Sequence, residues 1–344
     1  MSTVATIGLD VAKDVFQVHG AAANGARMFN RRLRRSEILG FFKQLPPCIV
    51  GIEACSTSHH WARSIAEFGH DVRLIHAQYV RAFVKRGKTD ANDAEAINEA
   101  LTSKAMRFVP VKTAKQQVSG MILRTRAFFV RQRTQAINSL RAHLAELGIV
   151  TAKGARNVKT LAAIVEDGEL PAFSGLALRQ FVDHIQLLDS RIAKLNREIL
   201  AQTREDETRR RLMTIPGVGP ITAAAIHAFV PRPREFRSAR HFASWVGLTP
   251  KSHSSGASQV LGRISKMGNA HLRSLLVVGA MIVLRRVKAG DVKMRWLSAL
   301  KKRRPFKVAA VALANKTARI VWALLVKGGT YVGSPNSAYA VNIA

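Results

Sequence analysis

Val4-Ala-Thr-Ile-Gly-Leu-Asp10, with Val15-Phe-Gln-Val18 close behind it, decides how the N-terminal third of the chain is read. An apolar run that closes on an acid, followed by a second apolar run, predicts a strand, a tight connection and an antiparallel partner. Strands are expected at 4–10, 14–19, 26–30, 48–53 and 71–76, and helices at 36–45, 58–68, 78–86 and 90–104. Three strands and then strand–helix alternation predict an α/β domain with a mixed sheet over residues 1–112. Pro110 marks its exit.

Four carboxylates fall at telling places in this pattern. Asp10 ends the first strand and Glu53 ends Cys48-Ile-Val-Gly-Ile-Glu53. Asp90 and Asp93 open a helix, where positions i and i+3 share a face. Two strand-end acids and a helical pair converge in an RNase H-like fold, where carboxylate oxygens suit two Mg²⁺ ions acting on a phosphodiester. Read singly, each acid has an ordinary explanation: a turn residue at a strand end, or an N-cap in the case of Asp90.

Charge points to the partner. The 344 residues carry 54 Lys+Arg against 22 Asp+Glu, a formal +32. Such an excess calls for a polyanion, most commonly nucleic acid. It is unevenly placed: residues 206–344 hold 24 basic residues and 4 acidic ones, net +20, while 1–112 and 113–205 are each net +6. Arg31-Arg-Leu-Arg-Arg35 and Lys301-Lys-Arg-Arg304 are the densest runs, expected to grip phosphates in a salt-dependent way. Cys48 and Cys55 lack zinc or disulfide spacing and read as reduced thiols of a cytoplasmic protein. No signal peptide opens the chain, and the most apolar stretch, Leu275 to Leu284, is too short to span a bilayer.

Residues 113–205 read as a helical spacer. A long helix runs from Ala114 to about Gly148. Leu178, Phe181, Ile185, Leu188, Ile192, Leu195 and Ile199 then alternate in steps of three and four, a coiled-coil seam. It is covered either by the first helix of the same chain or by a second copy. Beyond it, Ile215-Pro-Gly-Val-Gly219 between two helices matches a helix-hairpin-helix unit. Its Gly217 and Gly219 permit a tight turn and a helix N-terminus that can hold a DNA phosphate. Helices are expected at 238–245, 270–288, 292–303 and 306–327, making residues 206–330 mainly α, and 331–344 a loose tail. Between Gly247-Leu-Thr-Pro250 and Gly268 lies a polar loop, Lys251-Ser-His-Ser-Ser-Gly-Ala-Ser258. Its serines, beside Arg263, Lys266 and Arg273, offer a hydroxyl to a phosphate held by cations; as a bare pattern it is only a Ser/Gly loop.

Taken together and in order, Ile7-Gly-Leu-Asp-Val-Ala-Lys13, Gly51-Ile-Glu53, Lys88-Thr-Asp-Ala-Asn-Asp-Ala94, Ile215-Pro-Gly-Val-Gly219, Gly247-Leu-Thr-Pro250, Ser255-Gly256 and Ser265-Lys-Met-Gly-Asn269 resemble the DEDD recombinases of the IS110 insertion-sequence family, relatives of the Piv-type DNA invertases. The resemblance spans about residues 4–327. One departure is Ala54-Cys-Ser-Thr57, where members often carry Ala-Thr-Gly-Thr. The likeness implies a RuvC-like N-terminal domain, a coiled coil and a transposase domain. It implies a metal-binding tetrad of Asp10, Glu53, Asp90 and Asp93, holding Mg²⁺ with Mn²⁺ as substitute, and Ser255 as nucleophile, with Ser254 the nearest rival. It further implies double-stranded donor and target DNA, a structured non-coding guide RNA, and homodimers joining into tetramers that share the active site. Such a protein works in the bacterial cytoplasm, on the nucleoid.

Three other readings stay in view: a Piv-like invertase without guide RNA, a metal-only junction resolvase, and a non-catalytic nucleic-acid scaffold. A tyrosine recombinase is disfavoured. Only Tyr79, Tyr331 and Tyr339 exist, and His271-Leu-Arg273 lacks the spacing of its cation cluster. Gly87-Lys-Thr89 resembles the end of a Walker A loop, yet Ala82 occupies the first glycine position.

Overall fold

The computed structural model describes the chain except residues 1–2, 86, 88, 153, 155–156, 168–169, 172–173, 256–257, 289–293, 333–340 and 343–344. It forms two compact units, Met1–Gln117 and Val118–Ala344.

The first unit is built on a six-stranded mixed sheet ordered β3-β2-β1-β4-β5-β6. The strands are β1 (Val4–Asp10), β2 (Val15–Ala22), β3 (Arg27–Arg34), β4 (Ile49–Glu53), β5 (Asp71–Ile75) and β6 (Phe108–Val109). β1 pairs antiparallel with β2 and parallel with β4, and β5 is parallel to β4. β6 is a short strand that the sequence reading missed, since two residues carry no periodicity. The helices are α1 (Ile38–Gln44), α2 (Ser58–Ala66), α3 (Ala77–Val80) and α4 (Asp90–Thr102). α3 is shorter than the helix expected over 78–86; a 3₁₀ turn over Arg81–Phe83 replaces its second half.

Alternation along the strands assigns the two faces of the sheet. Ile7, Leu9, Phe16, Val18, Val50, Ile52 and Leu74 are fully buried on one face, against Ile38, Phe42, Trp61 and Ile65 of α1 and α2. The intervening residues, Thr6, Gly8 and Asp10 on β1 and Gly51 and Glu53 on β4, must point the other way. That second face is covered by α4. A Cβ on Gly8 would stand 2.1 Å from the Ala94 carbonyl oxygen, and one on Gly51 3.2 Å from the Ile97 side chain. The two glycines therefore let α4 lie almost on the sheet backbone. Gly8→Ala is expected to unseat α4, at a cost of about 3 kcal/mol or more because the clash is with backbone. A melting transition close to wild type would contradict this packing.

The second unit is mainly helical. Its helices are the bulk of α5 (Ala114–Glu146), α6 (Val158–Asp167), α7 (Ser174–Glu205), α8 (Glu207–Met213), α9 (Pro220–Phe229), α10 (Ala239–Val246), α11 (Ala270–Arg286), α12 (Arg295–Arg303) and α13 (Phe306–Lys327). Of the two coverings open to the heptad seam, the structure shows one within the chain. Leu178, Val182 and Ile185 pack on Ala136, Ile137, Leu140 and Leu144 of α5 and on Leu161 and Val165 of α6. α13 is the one described helix long and apolar enough to cross a membrane. Its Ala309, Ala310, Ala314, Ala318 and Val321 are fully buried in the main core of this unit. Where the sequence reads as a loose tail, β9 (Thr330–Tyr331) pairs antiparallel with β10 (Val341–Asn342).

A candidate carboxylate site and a serine-bearing hairpin

In the first unit, Asp10 and Glu53 end neighbouring parallel strands: Leu9 pairs with Ile52 in register, so the next residues on each strand are the two acids. Both stand on the α4 face. Asp90 and Asp93 occupy the first turn of α4, whose N-cap Thr89 accepts a hydrogen bond from the Asn92 N–H at 3.2 Å. The free N–H groups of that turn favour negative charge. At Asp10 the opposite influences win, and its carboxyl is pushed up from 3.8 to about 6. Burial is the largest cause, followed by repulsion from Asp93, Asp90 and Glu53, against a lowering hydrogen bond from the Val11 backbone.

Asp10 thus feels the other three acids without the four being drawn into a cage. Among the described residues no three His, Cys, Asp or Glu side chains stand close enough to hold an ion. Asp90 instead lies 3.6 Å from Arg32. The two observations concern different ranges: carboxylates repel over several ångströms, whereas ligation needs oxygens about 2.0–2.6 Å from the cation. The donor set fits a divalent metal. It is all carboxylate oxygen, which suits Mg²⁺ or Mn²⁺ and disfavours zinc, and it carries excess negative charge that a dication would neutralise.

Residues that the sequence reading passed over hold α4 in place. Gln17, in register with Asp10, is buried and donates to the Asn30 amide oxygen. Asn30 in turn donates to the Ala91 carbonyl at 3.5 Å, between the two helical acids. Deeper in, Asn98 of α4 accepts from the Thr6 hydroxyl at 3.1 Å and donates to the His19 carbonyl at 3.2 Å. The signal was present in the sequence. Gln17 and His19 are polar at alternate positions of an apolar strand, which marks a face that meets something polar.

The second unit carries the candidate nucleophile. The stretch read as a polar loop is a hairpin, β7 (Pro250–Ser255) against β8 (Ser258–Ile264). Ser254 pairs with Gln259 and Ser255 with Ser258. Ladder hydrogen bonds order a segment whose composition suggested only flexibility. Ser255 is the last residue of β7; Gly256, on which its choice over Ser254 rests, lies outside the described residues.

The base of the hairpin is tightly locked. Gly247, at φ +82°, approaches so closely that a Cβ would stand 2.2 Å from the Met267 carbonyl oxygen. A Cβ on Gly268 would stand 1.9 Å from that of Trp245. Arg273, expected to contact nucleic acid, donates through Nη1 to the carbonyls of Val246 at 3.0 Å and Met267 at 2.8 Å, so it also clamps this junction. Lys266 is exposed and is the one described non-glycine residue with positive φ, 56°. Strained backbone of this kind persists where its surroundings over-determine it. Gly247→Ala is expected to loosen the junction, lowering the melting temperature by several degrees. An unchanged melt with the variant would contradict the lock.

The remaining expected contacts divide similarly. Arg263 is exposed on β8. Gly217, φ +86°, faces α11, where a Cβ would meet the Gly279 carbonyl oxygen at 2.8 Å, while Gly219 at the N-cap of α9 faces open space. In the two basic runs, Lys301 is tied to the Leu284 and Val287 carbonyls at 3.2 and 2.7 Å, and Arg35 lies 5.0 Å over the Trp61 ring. Neither residue is simply solvated charge.

Comparison with known proteins matches both units. A family model described as "Transposase IS116/IS110/IS902 family" fits residues 209–296, and a second transposase model, of DEDD IS110 type, fits residues 7–149. A Pseudomonas aeruginosa protein described as "Probable family 20 transposase" is 46% identical over 331 residues, 94% of this chain and 98% of the relative. The transposase for insertion sequence element IS1328 of Yersinia enterocolitica is 37% identical over 96% of this chain and 99% of its own length. More distantly, the pilin gene-inverting protein of Moraxella lacunata is 27% identical over 65% of this chain and 62% of its own length.

Proposed function

The chain belongs to the IS116/IS110/IS902 family of transposases and is therefore a DNA recombinase; from that premise we propose that it cuts and rejoins DNA through a covalent phosphoserine link. The observation that carries the reading is geometric: Asp10 and Glu53 end neighbouring parallel strands on the sheet face that α4 covers, and Asp90 and Asp93 stand in the first turn of α4, with the carboxyl of Asp10 raised by its surroundings. Carboxylates are gathered against their mutual repulsion where a cation is to be held. Asp10, Glu53, Asp90 and Asp93 would hold the divalent metal that a DEDD family implies. When bound, such a metal polarises the scissile phosphate and stabilises charge on its oxygens.

Ser255 acts on the same phosphodiester. Its Oγ forms a bond to phosphorus as the bond to the 3′ oxygen breaks; the hydroxyl proton passes to solvent and the 3′ oxygen takes one up. The phosphodiester energy is kept in the serine link, so strands can be exchanged and resealed without ATP. Exposed Arg263 and Lys266 hold the DNA near the hairpin, and the open N-terminus of α9 at Gly219 takes a phosphate without reading sequence.

The test is a strand-cleavage reaction on DNA bearing the element ends, quenched in denaturant. The expected result is a divalent-metal-dependent protein–DNA adduct with a free 3′-OH. Ends with 5′-phosphate and no adduct would instead mark a metal-only nuclease. A guide RNA is part of the proposal, and sequencing nucleic acid co-purified with the protein tests it. One defined non-coding species is expected; a random population would favour a protein-read system such as an invertase.

A further inference from the structure

Beside the carboxylates the sheet edge carries an aromatic pair that the acid and serine chemistry leaves unused. Ile75, the last residue of β5, pairs in register with Glu53, and the Ala54 N–H donates to the Ile75 carbonyl at 2.7 Å. His76 is the next residue, so it stands at the same edge as Glu53, one strand across. It caps α3, its Nδ1 accepting from the Gln78 N–H at 3.2 Å, which fixes the ring. Tyr79 lies one turn on, its ring 5.8 Å from that of His76 and tilted by 55°. Directly after it, Val80 is buried with Ile75 and with Ala96 and Ile97 of α4, anchoring the short helix. The rings themselves are outside that core: His76 is exposed and Tyr79 is 46% exposed. Arg81, also exposed, follows.

Two exposed rings pack against each other beside the buried anchor Val80, at the end of the strand that pairs with that of Glu53, and Arg81 follows two residues on in the chain. Aromatic faces beside a backbone-gripping cation are how proteins hold unpaired bases, and they do so without strong sequence preference because every base has a π face. We propose that His76 and Tyr79 form an aromatic platform on which one nucleobase stacks, unstacked from the DNA next to the phosphate at the carboxylates. Arg81 contacts the adjoining backbone. The proposal rests on the reading of the carboxylates as the cleavage site, and it adds that the substrate is locally unpaired there.

The full-length protein is tested with a single-stranded oligothymidine containing 5-iodouracil, irradiated and digested with trypsin. Cleavage after Arg73 and Arg81 releases Leu74–Arg81, in which His76 and Tyr79 are the only aromatic residues. A photo-crosslink on this peptide is expected. The second measurement is the affinity for oligothymidine relative to an abasic oligomer of equal length, at raised salt so that phosphate contacts weaken. Tyr79→Ala is expected to reduce that ratio by about 5- to 150-fold, and Tyr79→Phe to preserve it. Crosslinks confined to other peptides, an unchanged ratio in Tyr79→Ala, or a Tyr79→Phe variant as impaired as Tyr79→Ala would each overturn the platform. Neither readout requires cleavage, so Asp10→Asn protein should pass both. If that variant also retained strand exchange, the catalytic reading would fail while the platform stood.

Discussion

Asp10→Asn is expected to abolish DNA cleavage while making the metal-free protein more stable. The first effect follows from its place at the centre of the acidic set. Removing one preorganised charge from such a site costs at least about 100-fold in rate. The second follows from the direction of its titration. The folded carboxyl is raised from 3.8 to about 6, so the folded state binds the proton more tightly than the unfolded chain does. Stability is therefore highest with Asp10 protonated, falls as pH rises from about 4 to about 6, and stays reduced at neutral pH. The full shift corresponds to about 3 kcal/mol at most; allowing for the partial exposure of Asp10 and screening by solvent, about 1–2 kcal/mol is realistic. Asn abolishes the charge and with it the repulsion from Asp93, Asp90 and Glu53. Thermal melts at pH 7.5 without metal should then run a few degrees above wild type. Added Mn²⁺ should raise the wild-type melt and leave the variant nearly unmoved. An Asp10→Asn protein that melts below wild type without metal would show that the four carboxylates do not repel one another as described.

The second large effect is expected at the hairpin. Ser255→Ala should eliminate the covalent protein–DNA adduct, because without the Oγ there is no atom to join phosphorus; loss of a nucleophile of this kind costs up to about 10⁶-fold. Non-covalent DNA binding should persist, since it rests on phosphate contacts spread over a strongly basic unit. Ser254→Ala is the control. It sits one residue back on the same strand, paired with Gln259, and should keep the adduct. Adduct formation by Ser255→Ala, or its loss only in Ser254→Ala, would move the nucleophile along β7. Mass spectrometry of the trapped peptide reads the same answer directly.

Much of the first unit is legible in the sequence, because alternation with period two is a local property. The runs ending at Asp10 and Glu53 locate two strands and, with them, two acids at one sheet edge. The spacing of Asp90 and Asp93 puts both on one face of a helix. What no run of residues reveals is which sheet face that helix covers. Gly8 and Gly51 decide it: lacking side chains, they leave a gap through which α4 can approach the backbone. Thr6, Asn30 and Asn98 then fix its position through hydrogen bonds between residues 61 to 92 apart in sequence, with Gln17 holding Asn30. β6 and α6 escaped for a simpler reason, one being too short and the other lying among weak local signals.

In the second unit the sequence placed the long helices correctly but misread the segment that bears Ser255. Ser, His and Gly between two glycine turns look like a loop, since their propensities favour turns. Pairing of Ser252–Ser255 with Ser258–Leu261 overrides that preference, and Gly247, Gly268 and Arg273 lock the base. The sequence alone therefore determined the family and the basic character, and it supplied the four acids as candidates, because motifs, spacing and net charge are properties of the chain itself. Only the tertiary structure decided that Asp10 shares the field of three other carboxylates, that the serine rides on an ordered hairpin, and that His76 and Tyr79 follow the strand paired with that of Glu53. Those facts depend on contacts between residues far apart in the chain, and such contacts exist only once the core has closed.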